Sequence, residues 1–349
     1  MSSKTGSRKL DHLNLCSDGD AEHGSSGFED IILVHNALPE INYDDIDLSV
    51  NFLNKELSSP LFISAMTGGH PKTKEINRVL ALGAEEYNLA LGVGSQRAAI
   101  EDPSLEDTFR IVRDTAPNAF ICANLGSVQL VRHGIDWAEK AVEMIDADAI
   151  CIHLNFLQEA VQPEGEPYGA GAAKALKELC RELKKPVIVK ETGCGISKET
   201  AWTLCRIGVS AIDTGGFGGT SWVKVEGKRA AGDKTLAELG NVFLNWGIPT
   251  AVSVFEAAKV KRCPLISTGG LKTGLDIAKS IAIGADLGGM ALSLLVPAMK
   301  GKDELFNKIN RINAELRTAM FLSGSKDIAS LSKARYYVKG DVREMLQAL

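Results

Sequence analysis

Eight short apolar runs recur along the chain, and most are followed by a segment with apolar residues at helical spacing. The runs cover residues 61–65, 89–93, 119–123, 149–154, 187–191, 211–214, 265–268 and 287–291. Apolar residues at i, i+3 and i+4 mark helices between them, as in 172–183 and 277–283. Alternating strands and helices form a parallel sheet, and eight such units close into a barrel. The pattern therefore predicts an α/β fold of the (β/α)₈ barrel type.

A doubly wound open sheet is the competing fold for this alternation. It would place one Gly-rich turn after the first strand, in the pattern Gly-x-Gly-x-x-Gly. Here the first strand is followed by Ala-Met-Thr-Gly-Gly at 65–69, and the other Gly-rich turns come after the last strands. The barrel is therefore the favoured interpretation.

Segments outside the strand–helix repeat divide the chain in two. Residues 1–57 form an N-terminal extension, and residues 58–349 form the barrel with C-terminal helices from about residue 302. Alternation at 45–52 predicts an edge strand or hairpin over the barrel floor. Residues 215–247 make too long a connection for an ordinary βα turn, which predicts an active-site lid. The basic N-terminal tail is expected to be mobile.

Composition narrows the class of protein further. The 349 residues fit one barrel of about 250 residues plus extensions, and 34 glycines suit many βα turns. A net charge of −5 argues against a nucleic-acid partner. The seven cysteines include no Cys-x-x-Cys pair, which predicts free thiols in a reducing cytosol. With no apolar run of ~18 residues and a polar start, we expect a cytoplasmic protein with no membrane partner.

Two Gly-rich turns late in the chain indicate an anion site. Residues 267–274 read Ser-Thr-Gly-Gly-Leu-Lys-Thr-Gly, and residues 288–291 read Gly-Gly-Met-Ala. Glycines let backbone N–H groups approach an anion, and a helix N-terminus adds partial positive charge. The last two strands of a (β/α)₈ barrel commonly hold a phosphate in this way. The turns predict a phosphorylated ligand or cofactor.

Polar residues follow the other strands, where barrel enzymes place their chemistry. Lys190 ends the fifth strand and is predicted to hold negative charge on a ligand such as a reduced flavin. Arg97 is predicted to bind a phosphate, and Glu159 to hold Mg²⁺ beside a diphosphate. Each of these residues, taken alone, also fits an exposed surface position.

A set of motifs resembles one known family from Arg8 to the C-terminal helices. The motifs are Arg-Lys-x-x-His at 8–12, Ala-Met-Thr-Gly-Gly at 65–69, Gly-Ser-Gln-Arg at 94–97, His-x-Asn-x-x-Gln-Glu at 153–159, Gln-Pro-Glu-Gly at 162–165 and Gly-Gly at 269–270. Together they resemble type 2 isopentenyl diphosphate isomerase. The Ser-Gln-Arg, Gln-Glu and Gln-Pro-Glu-Gly pieces are specific, whereas Gly-Gly is shared by many barrels.

The resemblance implies an enzyme that interconverts isopentenyl and dimethylallyl diphosphate with reduced FMN and Mg²⁺, using NAD(P)H only to reduce the flavin, as a homotetramer or homooctamer. It implies flavin contacts at Ala65, Met66, Thr67, Ser95, Asn124, Lys190 and Thr220, with Ser221 as the alternative to Thr220. It implies a flavin-phosphate site at Gly269, Gly270, Leu271, Lys272, Ala291 and Leu292. Substrate contacts are implied at Arg8, Lys9, Ser95, Gln96, Arg97, His153, Asn155 and Gln158, and metal binding at Glu159.

The reaction moves a double bond without net redox change, through a transition state resembling a tertiary carbocation. Because no side chain around the mouth is an obvious strong acid, we predict that the reduced flavin performs the acid–base chemistry. Gln158, His153 and Lys190 are the predicted catalytic side chains; His153 serves either catalysis or phosphate binding.

Two alternative functions on the same scaffold each require a residue that this sequence lacks at the required position. A 2-hydroxy-acid oxidase would carry a histidine soon after the sixth strand, and an inosine monophosphate dehydrogenase-like enzyme a cysteine in that Gly-rich loop; residues 211–224 contain neither. The alternative function is an FMN-dependent barrel oxidoreductase acting on a small phosphorylated or hydroxy-acid substrate. A non-catalytic phosphate-binding barrel is the third reading.

Overall fold

A computed structural model describes residues 4–17, 19–230 and 232–348, with side chains from residue 9 onward. The strands within these residues are β1 (Ile31–Leu33), β2 (Val50–Phe52), β3 (Lys55–Leu57), β4 (Leu61–Ile63), β5 (Ala90–Gly92), β6 (Phe120–Gly126), β7 (Ala149–Leu154), β8 (Val187–Glu191), β9 (Ala211–Asp213), β10 (Leu265–Ser267), β11 (Leu287–Met290) and β12 (Tyr336–Val338). Strands β4 to β11 are parallel neighbours in chain order, and β11 pairs with β4 to close a barrel. The predicted (β/α)₈ barrel and its eight strands are confirmed.

Helices cover the outside of the barrel and its mouth. They are α1 (Lys4–Ser17), α2 (Lys74–Glu86), α3 (Arg97–Glu101), α4 (Asp107–Thr115), α5 (Ser127–His133), α6 (Ile135–Met144), α7 (Phe156–Val161), α8 (Ala172–Glu182), α9 (Lys198–Ile207), α10 (Trp222–Arg229), α11 (Lys234–Val242), α12 (Thr250–Ala258), α13 (Gly274–Ala282), α14 (Leu292–Lys300), α15 (Lys302–Ser323), α16 (Ile328–Leu331) and α17 (Gly340–Gln347). The C-terminal helix predicted from residue 302 is confirmed.

The floor of the barrel is closed by the antiparallel hairpin β2–β3. Phe52 and Leu57 are buried and pack into the lower interior, where the Phe52 and Phe120 rings meet edge-on at 6.1 Å. The predicted floor element is therefore confirmed, but its strand begins at Val50. Residues 43–45 form a short 3₁₀ turn instead of the start of a strand.

A second antiparallel pair was not predicted. Strand β1 pairs with β12, with Leu33 opposite Tyr336. Each of these strands has only three residues. Such short runs carry little periodicity, and their pairing depends on the chain ends meeting in three dimensions.

The N-terminal segment covers the mouth as a helix. Helix α1 packs against α10 and α14, and its Leu13 and Cys16 are buried. These two apolar side chains, three residues apart, give the helix a face to bury. The expected mobility of the tail stays a prediction. The long connection after β9 contains α10 and α11.

One pair of cysteines departs from the predicted free thiols. Cys205 at the end of α9 and Cys263 just before β10 are joined by a disulfide, with their Cα atoms 6.1 Å apart. The two residues are 58 positions apart in the sequence, so only the closed barrel brings them together.

Across the described ranges, none of the helices combines the length and the apolar character that crossing a bilayer requires.

Candidate functional site

A cavity of about 220 Å³ opens at the carboxyl ends of the barrel strands, beneath α1 and α10. Many of the predicted site residues line this one cavity. They are Lys9, Ala65, Met66, Thr67, Ser95, Arg97, Asn124, His153, Asn155, Gln158, Glu159, Lys190, Thr220, Gly269, Gly270, Leu271, Ala291 and Leu292. The structure therefore brings these residues together, and their individual roles stay predictions. The Arg8 side chain lies outside the described residues.

The late Gly-rich turn forms one wall of the cavity. Gly269 and Gly270 have φ values of +113° and +80°. Among the residues described, no acceptor takes the N–H groups of Gly269, Gly270 and Leu271. Beside them α14 begins at Leu292, and a helix leaves its first-turn N–H groups unpaired. The Ser293 hydroxyl ties the two turns together by donating to the Leu271 carbonyl at 3.2 Å. This wall therefore presents open backbone N–H groups beside a helix N-terminus, an arrangement that suits an anion.

Close packing explains why two glycines stand here. A Cβ on Gly269 would lie 2.2 Å from the Gly216 carbonyl oxygen, and one on Gly270 would lie 2.3 Å from that of Gly218. The turn after β10 is thus interlocked with the loop after β9. Any larger residue would push the two apart and displace the open N–H groups.

Helix α13, in contrast, does not offer its N-terminus to a ligand. The Asp276 carboxylate accepts the N–H groups of Lys272 and Thr273, each at 3.0 Å, and Glu315 accepts that of Gly274 at 2.8 Å. The Lys272 ammonium pairs with Glu22 at 2.6 Å. Lys272 does not line the cavity in this structure, and its predicted contact with the phosphate stays a prediction.

Gln96, predicted to contact the substrate, is another residue whose side chain does not line the cavity. It is fully buried; its amide donates to the Ala141 carbonyl at 2.7 Å, and its Oε1 accepts the Asn124 N–H at 2.9 Å. Gln96 therefore supports Asn124 from behind and does not face the cavity. Its neighbours Ser95 and Arg97 do line it, because successive side chains of the turn diverge. The motif alone cannot give these directions.

The structure distinguishes Thr220 from Ser221, the two hydroxyls considered as the flavin contact. Thr220 lines the main cavity, whereas the Ser221 hydroxyl accepts the Lys224 N–H at 3.3 Å and caps α10. Helix N-caps favour serine for this reason. Thr220 is therefore the hydroxyl placed to meet a ligand.

His153 is oriented by an amide. The Asn124 side chain donates through Nδ2 to the Val93 carbonyl at 2.9 Å, so its Oδ1 accepts from His153 Nδ1 at 2.8 Å. This places the proton of the neutral imidazole on Nδ1 and the lone pair on Nε2. Asn124 thus sets the tautomer of His153.

A connected set of polar side chains follows β7. Asn155 donates to Gln158 Oε1 at 3.3 Å and to Glu159 Oε1 at 2.9 Å, and Glu159 Oε2 accepts the Glu166 N–H at 2.8 Å. Glu159 is buried, and no cation of the described residues lies within ion-pair distance of it. A buried carboxylate that accepts hydrogen bonds but lacks a cation fits a metal ligand.

Sequence reasoning missed Glu226, which lies behind Gln158. Its fully buried carboxylate accepts from His12 Nε2 at 2.8 Å, Gln158 Nε2 at 2.9 Å and Arg229 at 2.6 Å. Burial by itself raises the pKa of Glu226, but these donors, led by His12, outweigh it and lower the pKa to about 2. Only His12 carried a sequence signal, as part of the N-terminal motif. Glu226 links the α1 cover to Gln158.

Glu191 is a second unpredicted residue at the mouth. Its Oε2 accepts the N–H groups of Thr192, at 2.6 Å, and of Cys194. Burial raises the pKa of Glu191 to about 7, and these N–H groups only partly oppose it. The neighbouring Lys190 ammonium donates to the Glu191 carbonyl at 2.7 Å.

Comparison with known proteins first defines a class. The sequence profile of the FMN-dependent dehydrogenase family matches residues 157–338. Solved structures of mandelate oxidase variants superpose on the chain; one that holds a monooxide FMN adduct has a TM-score of 0.65 at 12% identity, over 94% of this chain and 92% of that one. At that identity the likeness shows the shared fold. The protein is an FMN-dependent (β/α)₈ barrel.

Full-length relatives define the particular family. The isopentenyl-diphosphate delta-isomerase of Methanoregula boonei is 54% identical over 346 residues, covering 98% of this chain and 96% of the relative. That of Archaeoglobus fulgidus is 49% identical over 342 residues, covering 98% of both. The chain belongs to the isopentenyl-diphosphate delta-isomerase family.

Proposed function

We propose that this chain interconverts isopentenyl diphosphate and dimethylallyl diphosphate. The observation that carries the proposal is a single cavity with two anion-binding regions. One is the backbone wall after β10 and β11. The other holds the side chains of Lys9 and Arg97, and Arg97 follows β5, two strands beyond β11 around the barrel. One region suits a coenzyme phosphate, and the other suits a substrate diphosphate.

The residues present fit FMN. The open N–H groups of Gly269, Gly270 and Leu271 would hold its phosphate, and Lys190 would lie at its ring. When bound and reduced, the flavin supplies an electron-rich face and a nitrogen, N5, that gives and takes protons. Lys190 would balance negative charge on the reduced ring. We propose NAD(P)H as the reductant.

Substrate binding would rest on cations at one end of the cavity. Lys9 and Arg97 would bind the diphosphate, with Arg8 from the same α1 cover. Glu159, through Mg²⁺, would neutralise the remaining charge, since magnesium prefers few carboxylates plus phosphate oxygens. Arg97 is held for this task by Glu101 at 2.7 Å and by Glu166 at 3.6 Å.

The hydrocarbon end needs a different environment, because an alkene is a very weak base and its protonation creates a carbocation. Cations must be kept away from that end, and water must be excluded. Gln158 would position the substrate there, with its amide oriented by Glu226 and Asn155. An amide is too weak an acid to supply the proton itself. His153 would accept a proton in transit at the Nε2 lone pair, or, once protonated there, would donate to a phosphate oxygen.

We also propose a cytoplasmic homotetramer or homooctamer. The support is the resemblance of the motifs and the family membership.

Purification and turnover test the function directly. The purified chain should be yellow with stoichiometric FMN, and the reduced enzyme should isomerise isopentenyl diphosphate without net NAD(P)H consumption. A colourless preparation that takes up no added FMN would refute the proposal. Net NAD(P)H consumption with a hydroxy-acid product would establish the oxidoreductase alternative, and full turnover with 5-deaza-FMN would exclude N5 as the proton carrier.

Replacing Arg8 and Lys9 together by alanine should raise KM strongly.

A further inference from the structure

A fully buried carboxylate lies just behind the cavity wall. Asp213 is the last residue of β9, and it is 0% exposed. Its Oδ1 accepts the Gly215 N–H at 3.2 Å and the Thr268 hydroxyl. Within the described part of the chain its Oδ2 has no hydrogen-bond partner. A buried carboxylate oxygen left without a partner is costly, so this atom calls for a physical explanation.

The nearest candidate partner is a cation on the neighbouring strand. Lys190 of β8 is the register partner of Asp213 in the parallel pair β8–β9. In-register residues on adjacent strands point to the same face of the sheet. In the structure the Lys190 ammonium uses one of its three donors on the Glu191 carbonyl. It retains donors for a further acceptor.

Electrostatics support a close relation between the two groups. Burial raises the pKa of Asp213 above its ordinary value, and the Lys190 charge, which comes first among the opposing effects, and the Thr268 and Gly215 hydrogen bonds offset only part of that rise. The other titratable group that senses Asp213 is the buried thiol of Cys122. Its hydrogen bond with Cys151, together with burial, raises the pKa of Cys122 well above its ordinary value, so that thiol stays neutral. Lys190 is thus the cation available to Asp213.

We propose that Asp213 and Lys190, whose ammonium contacts the Glu191 carbonyl in this structure, form a charge pair across the β8–β9 register when the coenzyme is bound, in which Asp213 is a positioning residue that holds the Lys190 ammonium beneath the coenzyme ring. The inference rests on the proposed function, because the ring is that of the proposed FMN. The pair carries no net charge, so Lys190 stabilises an anionic reduced ring less than a lone lysine would. The reduced ring then keeps its N1 proton more readily.

Asp213→Asn tests this pair without removing the hydrogen bonds, because the amide oxygen still accepts from Gly215 and Thr268. The bound FMN is titrated to its midpoint potential, and the pKa of the reduced form is followed by absorbance. In this variant no carboxylate offsets the Lys190 charge. The preference for reduced over oxidised FMN should therefore be about tenfold stronger than in the wild type. For this two-electron couple that is a positive shift of about 30 mV. The pKa of reduced FMN should fall.

Asp286→Asn is the matched control. Asp286 is an exposed carboxylate that likewise accepts a backbone N–H, that of Leu265 at 2.7 Å, but it stands at the floor, where β10 and β11 begin. Its substitution should leave the potential unchanged. Equal potentials in the wild type and Asp213→Asn, or equal shifts in both variants, would overturn the proposal.

The Lys190→Met substitution tests whether Asp213 acts through Lys190. If Asp213 acts through Lys190, Asp213→Asn shifts the potential less in the Lys190→Met background than in the wild type. The same shift in both backgrounds would refute the positioning role.

A further measurement needs neither FMN nor a folded Asp213→Asn variant. In Lys190→Met the pKa of Asp213 should rise further, so unfolding free energy should fall as pH rises through that pKa more steeply than in the wild type. Identical pH slopes would count against the pair. Failure of isomerisation by the wild type would, separately, refute the proposed function.

Discussion

Replacing Gly270 by alanine perturbs the proposed phosphate wall at one atom. Gly270 has a φ of +80°, and a Cβ there would lie 2.3 Å from the Gly218 carbonyl oxygen and 3.1 Å from the Ser26 Cβ. The left-handed backbone costs a non-glycine residue roughly 1–2 kcal/mol. Overpacking against a neighbouring backbone adds typically 1–3 kcal/mol. We therefore expect Gly270→Ala to lower the free energy of unfolding by about 2–5 kcal/mol.

Gly171→Ala separates the two contributions. Gly171 is also left-handed, with a φ of +84°, but a Cβ there would only touch Val131 Cγ1 at an ordinary 3.8 Å. It should lose only the backbone part, about 1–2 kcal/mol. Because relief of the clash moves the turn that holds the open N–H groups, Gly270→Ala should also weaken FMN binding at least tenfold, or about 1.4 kcal/mol.

Urea unfolding gives the stabilities, and quenching of flavin fluorescence gives the FMN dissociation constants of both variants. The reasoning is refuted if Gly270→Ala binds FMN as the wild type does and is no less stable than Gly171→Ala. That result would mean that the interlocked loops do not form the phosphate site.

Three other substitutions test the carboxylates of the mouth. Glu159→Gln should weaken Mg²⁺ binding about tenfold in calorimetry with diphosphate present, and unchanged affinity would remove Glu159 as a metal ligand. The pKa of Glu191 is raised from 4.5 to about 7, so the free energy of unfolding of the wild type should fall by about 3 kcal/mol as pH rises from 4.5 to 7. In urea unfolding at the same pH values, Glu191→Gln should not show this fall. Glu226, whose pKa is lowered from 4.5 to about 2, should act with the opposite sign. Ionised Glu226 contributes about 3 kcal/mol to the free energy of unfolding above pH 4.5, and this contribution is lost as pH falls towards 2. If the free energy of unfolding of Glu226→Gln fell with decreasing pH as steeply as that of the wild type, this role of Glu226 would be contradicted.

Strand positions and the order of elements could be predicted from the sequence because they are local. A run such as 149–154 is apolar and bounded by polar residues, and its period needs no knowledge of the rest of the chain. The same holds for residues 269–270, where two adjacent glycines after a strand report a turn with open N–H groups. Eight repeats of one strand–helix unit are then compatible with only a few sheet topologies.

The directions of individual side chains could not be predicted in this way. Ser95, Gln96 and Arg97 are consecutive, yet the middle residue is buried against Ala141 while the outer two line the cavity. Lys272 follows the glycine turn directly, yet its ammonium pairs with Glu22, 250 positions away, and its N–H with Asp276.

Long-range pairing was decided only by the tertiary structure. Glu226 meets Gln158 and His12 because the insertion after β9 and the N-terminal helix fold over the same mouth. Asp213 and Lys190, and likewise Cys205 and Cys263, become neighbours when the sheet closes. Amino-acid order by itself determined which segments become strands, helices and glycine turns, since those depend on neighbours a few residues apart. Burial, pKa and charge pairing depend on contacts between segments distant in the chain, and these exist only once the barrel has formed.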